Sequence, residues 1–86
     1  NAVMHEMGHY VNDALGMYSS RPENRKLFRK EAGKISLYAQ SNDREYFAEA
    51  FRLYITEPVL LQMISPESFA MVERAASSIA SVHGRC

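Results

Sequence analysis

The motif HEMGH at residues 5–9 constrains this chain more than any other feature of its sequence. It lies in a segment, residues 2–15, whose apolar side chains recur every three or four residues, and this spacing predicts an amphipathic helix. On a helix, His5 and His9 project from the same face about 6 Å apart along the axis. Both imidazoles can therefore bind one metal ion at roughly 2.0–2.1 Å. Glu6 lies beside the open coordination position, where its carboxylate can take a proton from zinc-bound water.

The motif is short, and the alternative is that His5 and His9 are ordinary surface or half-buried helix residues. A catalytic zinc site also needs a third protein ligand. One known arrangement, HExxHxxGxxH, places a third histidine six residues after the second. Here Asn12 holds the glycine position and Leu15 the histidine position, which excludes that class.

Two glutamates one helical turn apart offer another solution. Helix-capping residues at positions 41–43 precede a predicted helix on which Glu45 and Glu49 lie on one face. A carboxylate pair that faces the core is unfavourable unless a positive charge compensates it. The alternative is that both side chains point to solvent and pair with Arg44 or Arg52.

The rest of the chain is also predicted to be almost entirely helical. Helices are expected over residues 2–15 with Gly16 as the stop, over about 22–32 with Ser20 as a possible cap and Gly33 as the end, over 44–55, and from Pro66 to about Val82. Residues 35–40 receive no clear assignment. The many charged side chains of the second helix, Glu31 among them, predict a solvated surface helix. The tyrosines other than Tyr38 and the methionines are expected to be packing residues.

Composition limits the classes of function. Eighty-six residues make one small domain with a thin core. Ten basic and ten acidic residues cancel, so the charge gives no reason to propose nucleic acid or an anionic membrane as the main partner. No apolar run approaches the roughly 20 residues that cross a bilayer, so no membrane insertion is expected. The single cysteine, Cys86, excludes an internal disulfide framework, and neither Cys86 nor His83 is assigned a functional role.

Two blocks carry a resemblance to a known family: HEMGHYVNDALG at residues 5–16 and EYFAEAFRL at residues 45–53. Together they resemble the catalytic domain of anthrax toxin lethal factor and its relatives, which include the secreted proline-proline endopeptidases of gram-positive bacteria. The similarity runs from about His5 to Ala75. It implies a mostly α, helical zincin-type catalytic domain of the gluzincin class, with one zinc ion per chain.

The resemblance also implies roles for single residues. In that family the first glutamate of the second block is the third zinc ligand, which maps to Glu45, and the second, Glu49, supports a zinc-ligating histidine. A tyrosine seven residues before the ligand glutamate helps to stabilise the oxyanion, and Tyr38 stands there. The alternative for Tyr38 is a half-buried residue that anchors its loop. Asp13 corresponds to a structural hydrogen-bonding residue near the end of the motif helix.

These roles lead to the hypothesis of a zinc-dependent endopeptidase that hydrolyses a protein or peptide substrate, with Glu6 activating the zinc-bound water. The resemblance implies a bacterial toxin or effector that is secreted or delivered into a target cell. Two alternatives stay open: a zinc-binding interaction module without catalysis, and a zinc amidohydrolase that acts on a non-protein amide.

Two departures from the family matter. Its members carry an upstream sheet whose edge strand holds the peptide substrate, whereas only four residues precede the motif here. We therefore expect this single domain, residues 1–86, to be the C-terminal part of a larger toxin polypeptide and to contact the rest of it. The link between His9 and Glu45 also differs from that of the relatives, so substrate preference is not transferred.

Overall fold

The fold is a bundle of α-helices joined by short turns. The computed structural model describes the backbone of residues 2–83 and the side chains of residues 2–80. The helices are α1 (Ala2–Ala14), α2 (Pro22–Ile35), α3 (Asp43–Thr56), α4 (Pro58–Ile64) and α5 (Pro66–His83). Single 3-10 turns at Tyr18–Ser20 and Tyr38–Gln40 flank α2, and residues 2–83 contain no strand. The prediction of a mostly α fold is confirmed.

The motif helix α1 ends where the sequence predicts. Gly16 has a φ of 71°, a left-handed conformation that glycine adopts without strain, and its N–H donates to the Asp13 carbonyl at 3.0 Å. The Asp13 side chain is exposed. The structural hydrogen bond expected of it is made by its neighbour, because the buried Oδ1 atom of Asn12 accepts from the Ser19 N–H at 2.7 Å.

The second helix differs from the prediction at both ends. It starts at Pro22 without a side-chain cap, so Ser20 does not cap it. It also continues through Gly33 to Ile35. A Cβ atom at position 33 would lie 2.8 Å from the Nε2 atom of Gln40. Gly33 therefore lies within α2, next to the Gln40 amide, and does not end the helix.

Helix α3 is the centre of the fold and packs against each of the other four helices. As predicted, a capping residue starts it: the side chain of Asn42 accepts a hydrogen bond from the Glu45 N–H at 2.9 Å. The spacing of Phe47, Ala48, Phe51 and Tyr54 predicts an apolar stripe on this helix; the first three side chains are buried, and Tyr54 is partly buried against the core. Burial of this face fixes α3 in the core, so side chains on the other faces of the helix are held in fixed positions.

A buried polar chain joins α3 to α2 and α5, and it corrects the prediction for Glu31. This glutamate is buried rather than solvated. Ser65 donates to Glu31 at 2.7 Å, Ser65 and Ser68 are hydrogen-bonded at 2.7 Å, and the Tyr46 hydroxyl contacts Ser68 at 2.6 Å. Each hydroxyl group can donate only one proton. All three contacts can therefore be hydrogen bonds only if Tyr46 donates to Ser68, Ser68 to Ser65, and Ser65 to the Glu31 carboxylate.

The ionisation of both end groups follows from this arrangement. Burial raises the pKa of Glu31, but the hydrogen bonds from Ser65 and Lys34 outweigh it, so that the pKa lies below its ordinary value. Burial raises the pKa of Tyr46 to about 12. The network therefore consists of one carboxylate and three neutral hydroxyl groups over the whole physiological pH range.

Several residues expected to pack in the core are exposed instead. Met7, Tyr10 and Met63 are 46%, 64% and 76% exposed, so the packing prediction is wrong for them. No described helix is both long and apolar enough to cross a bilayer. His83 is the last residue of α5, and its side chain and Cys86 lie outside the described residues.

Replacing Glu31 with glutamine is expected to destabilise the fold by about 1–3 kcal/mol at neutral pH, because a hydrogen bond to a buried charge is lost. The folded state lowers the pKa of Glu31 below 4.5, so its stabilisation is complete above that pH and declines as the pH falls further. Urea unfolding of both proteins at several pH values measures this difference. Glu73→Gln, an exposed control, should stay within about 0.5 kcal/mol of wild type, and a pH-independent difference for Glu31→Gln would contradict the assignment.

Candidate metal centre

Close packing of α1 on α3 brings the two predicted blocks together. Gly8 faces Ala48 so tightly that a Cβ atom on Gly8 would lie 2.8 Å from the Ala48 Cα atom. His5 and His9 precede and follow Gly8 on the face of α1 that meets α3. Because Gly8 has no side chain, α1 and α3 approach closely at this point. This contact sets the distance between the histidines of α1 and the glutamates of α3.

The side chains of His5, His9 and Glu45 converge on one point. The Nε2 atom of His5 lies 2.9 Å from one Glu45 carboxylate oxygen, and the Nε2 atom of His9 lies 3.2 Å from the other. One potential ligand atom from each residue lies within 4.8 Å of those of the other two. Three donors about 2.1 Å from one tetrahedral ion would be roughly 3.4 Å apart. The donor set and its spacing suit a zinc ion.

The two histidines differ in what holds the opposite side of the ring. The Nδ1 atom of His5 lies 2.7 Å from an oxygen of Glu49, which is 8% exposed. If Nε2 of His5 binds a metal ion, the ring carries its proton on Nδ1 and donates it to Glu49. The Nδ1 atom of His9 is buried and has no hydrogen-bond partner among the described residues.

Both glutamates are held as carboxylates. Burial raises the pKa of Glu45, but attraction to His9 and the hydrogen bonds from His5 and Tyr38 outweigh it, so the pKa is lowered. Burial acts in the same way on Glu49, where hydrogen bonds from Arg52 and His5 bring its pKa below the ordinary value. The alternative in which both glutamates point to solvent is excluded, although Arg52 does pair with Glu49.

Glu6 and Tyr38 line the same cavity as His5, one of the three candidate metal ligands. This cavity of about 310 Å³ is bounded by Ala2, His5, Glu6, Tyr38, Glu49 and Arg52. Glu6 is exposed and follows His5 on α1. The ring of Tyr38 stacks on that of His5, with centroids 5.4 Å apart and planes at 27°. Tyr38 is 56% exposed, and the alternative of a half-buried anchor for its loop stays a prediction.

The Tyr38 hydroxyl group faces the candidate metal ligand Glu45. A hydrogen bond to the Glu45 carboxylate, and the negative charge of that group, raise the pKa of Tyr38 above its ordinary value. The phenol therefore keeps its proton at neutral pH and can act as a hydrogen-bond donor. All six site residues predicted from the sequence, His5, Glu6, His9, Tyr38, Glu45 and Glu49, thus lie around one cavity or its adjoining cluster.

A second cavity, of about 550 Å³, lies between α2 and α5, away from this cluster. Lys26, Lys30 and Arg74 are among its lining residues, together with Glu23 and Glu67. None of its described lining residues is a histidine or a cysteine, and Lys30 and Glu67 form a salt bridge of 2.7 Å there. Its size therefore does not make it a competing metal site.

Comparison with known proteins identifies a family whose profile covers both sequence blocks of this site, residues 5–16 and 45–53. The profile of the family described as anthrax toxin lethal factor, N- and C-terminal domain, matches residues 1–75. The chain belongs to this family. Lethal factor of Bacillus anthracis is 30% identical over 82 aligned residues, which cover 80% of this chain and 10% of that protein. The chain thus spans about one tenth of this curated relative, and no solved structure shows a significant match.

Two contacts of the candidate site in this member of the lethal factor family do not follow from the motifs. HEMGH does not indicate that Gly8 lies against Ala48. The sequence suggests Arg52 only as a surface partner, whereas Arg52 donates to the Glu49 carboxylate, which also contacts His5. The three-residue spacing between Glu49 and Arg52 was the signal that could have indicated the second contact.

Replacing Gly8 with alanine should separate α1 from α3, because the blocking atom is backbone and cannot turn aside. Overpacking costs about 1–3 kcal/mol, and the better helix propensity of alanine offsets about 1 kcal/mol of it. Urea unfolding should show a net loss of stability, and zinc titration should show weaker binding.

The matched control is Gly33→Ala in α2. There the blocking atom is the Nε2 end of the exposed Gln40 side chain, also at 2.8 Å, which can move away. This variant should be unchanged or stabilised by up to about 1 kcal/mol. If both alanine variants bind zinc equally well, the Gly8 contact does not set the geometry of the centre.

Proposed function

We propose that this chain is the metal-binding part of a zinc-dependent endopeptidase that hydrolyses a protein substrate. The observation that carries the proposal is the convergence of His5, His9 and Glu45 within 4.8 Å, beside a cavity that Glu6 lines. One zinc ion per chain suits this donor set of two histidines and one carboxylate. When bound, zinc would polarise the scissile carbonyl group and lower the pKa of the attacking water.

Glu6 is the proposed general base. Its side chain is exposed at the cavity next to His5, and it forms no hydrogen bond or salt bridge within the described part of the chain. Its carboxylate is therefore free to take a proton from the attacking water and to deliver it to the leaving amine.

Tyr38 is the proposed oxyanion donor. Its ring is held against His5, and its hydroxyl group is directed towards Glu45 at the same cavity. A phenol in this place can donate a hydrogen bond to the negatively charged oxygen that develops on the substrate carbonyl group. Glu49 takes no direct part in this step and holds the His5 ring in place.

The wider setting is proposed from family membership. The similar protein of Bacillus anthracis carries the name lethal factor, which supports a toxin-related role for a secreted protein or one delivered into a target cell. Because the chain spans one tenth of that relative, we propose that it works within a larger polypeptide. The exposed apolar side chains of Met7 and Tyr10 on α1, next to the cavity, form a surface that such a polypeptide can cover.

Replacing Glu6 with glutamine should lower peptide cleavage by about 10²–10⁴-fold, because the general base is lost. The zinc content should stay the same, since Glu6 is not one of the converging ligands. Turnover of a peptide library and zinc analysis of the purified protein measure the two effects. The assay should use a longer polypeptide as well as residues 1–86, and equal turnover would exclude a contribution from the remainder.

Two glutamate variants complete this test. Glu45→Ala should lose zinc, whereas Glu49→Ala should only weaken its binding. The opposite pattern would reverse the roles of the two carboxylates. A Glu6→Gln protein that cleaves peptides at a near wild-type rate would refute the proposed mechanism.

Replacing Tyr38 with phenylalanine removes only the hydroxyl group and keeps the ring stacked on His5. If Tyr38 stabilises the oxyanion, kcat should fall about 10²-fold or more, the usual effect of losing one such donor. Zinc content and thermal stability should stay close to wild type, because the side chain is largely exposed. Unaltered kcat in this variant would leave Tyr38 with no catalytic role.

A further inference from the structure

Arg52 holds both oxygens of the carboxylate that supports His5. Its Nε atom donates to Oε2 of Glu49 and its Nη2 atom to Oε1, each at 3.3 Å. The guanidinium group thus presents one planar edge to the carboxylate, which is the two-point geometry that arginine forms with carboxylates. The same Oε2 atom also accepts the hydrogen bond from Nδ1 of His5 at 2.7 Å.

The charge around the cavity makes this contact important. Two carboxylates, Glu6 and Glu49, line the cavity, and Glu45 lies directly beside it. Among the described residues that line it, Arg52 is the only lysine or arginine. Arg52 is therefore the only permanently positive side chain there to balance these negative charges.

The contact also differs from an ordinary surface ion pair. Exposed pairs contribute about 0–1 kcal/mol because water competes for both groups. Here the Glu49 side chain is 10% exposed and that of Arg52 is 25% exposed. Every oxygen of Glu49 has at least one donor, so its carboxylate plane is fixed from two directions.

We propose that Arg52 is a positioning residue of the metal centre, which acts by fixing the Glu49 carboxylate so that Glu49 in turn orients the His5 ring. The order of contact is Arg52 to Glu49, Glu49 to Nδ1 of His5, and Nε2 of His5 towards the point that Glu45 faces. This inference rests on the proposed zinc site. It adds a residue three positions beyond the supporting carboxylate, and it requires the planar two-point edge of arginine, not charge alone.

The test compares zinc affinity in four proteins: wild type, Arg52→Met, Arg52→Lys and the control Arg44→Met. Arg44 lies on the same helix and is exposed, and it forms no hydrogen bond or ion pair with another described residue. Competition with a chromogenic chelator gives the dissociation constants. Arg52→Met should bind zinc roughly 10-fold more weakly, at the lower end of the effect of changing groups behind metal ligands. Arg52→Lys should recover only part of the loss, and Arg44→Met should match wild type.

A second readout reports the His5 ring directly. In nitrogen-15 NMR spectra, the wild-type protein should show a proton on Nδ1 of His5 that is protected from exchange with water. The Arg52→Met protein should show this resonance shifted or lost, because Glu49 is no longer fixed. Arg52→Gln serves as a second uncharged variant if circular dichroism shows that Arg52→Met does not fold.

The outcomes separate the inference from the proposed function. A wild-type protein that does not bind zinc refutes the proposed function itself. If wild type binds zinc and Arg52→Met has the same affinity and the same Nδ1 resonance, Arg52 is only a surface partner and the inference is wrong. Full recovery in Arg52→Lys overturns the two-point assignment, since charge alone would then suffice.

Discussion

The contact between Gly8 and Ala48 is the constraint on which the candidate site depends. It is a backbone-to-backbone approach that leaves no room for a Cβ atom on Gly8. His5 stands three residues before Gly8 and His9 one residue after it, and Glu45 and Glu49 have the same positions relative to Ala48. The crossing point of α1 and α3 therefore lies between two matching pairs. Each pair needs to extend only a few ångströms to meet the other.

A crossing point alone does not fix how α3 is rotated about its own axis, and the buried polar chain does this from the far side. Tyr46 follows Glu45 directly, and its hydroxyl group is tied through Ser68 and Ser65 to Glu31. Any rotation of α3 that turned Glu45 away from the histidines would break this chain and leave buried polar atoms unpaired. The network thus holds α3 in register although it lies away from the candidate metal centre.

The sequence predicted which side chains converge at the candidate site because their convergence depends on spacing. The four-residue steps from His5 to His9 and from Glu45 to Glu49 need only a helix to place each pair on one face. The capping residue Asn42 marked the start of the second helix in advance. Spacing alone does not give the pairing between helices, which was expected only from the resemblance to the family.

Errors in the fold arose from residues whose role is decided by neighbours distant in sequence. Gly33 resembles a helix stop, yet α2 continues through it to Ile35, and the Gln40 amide lies beside it. Glu31 lies in a strongly charged segment, which predicts that it is exposed to solvent. It is buried instead, because Ser65, 34 residues later, donates a hydrogen bond to its carboxylate. Tyr10 has core spacing and is exposed, because no described element packs on that face of α1.

The positions of Glu45 and Glu49 on α3 give the two carboxylates different surroundings. Glu45 lies in the first turn, where the free N–H groups and the helix dipole favour a negative charge. It forms no bond with an arginine or lysine among the described residues, so its oxygens face only His5, His9 and Tyr38. Glu49 lies one turn further on, beyond the reach of that stabilisation, and both of its oxygens are bound by Arg52. The carboxylate without an arginine or lysine partner can bind a metal ion, as we propose, and the one with an arginine partner can hold the histidine.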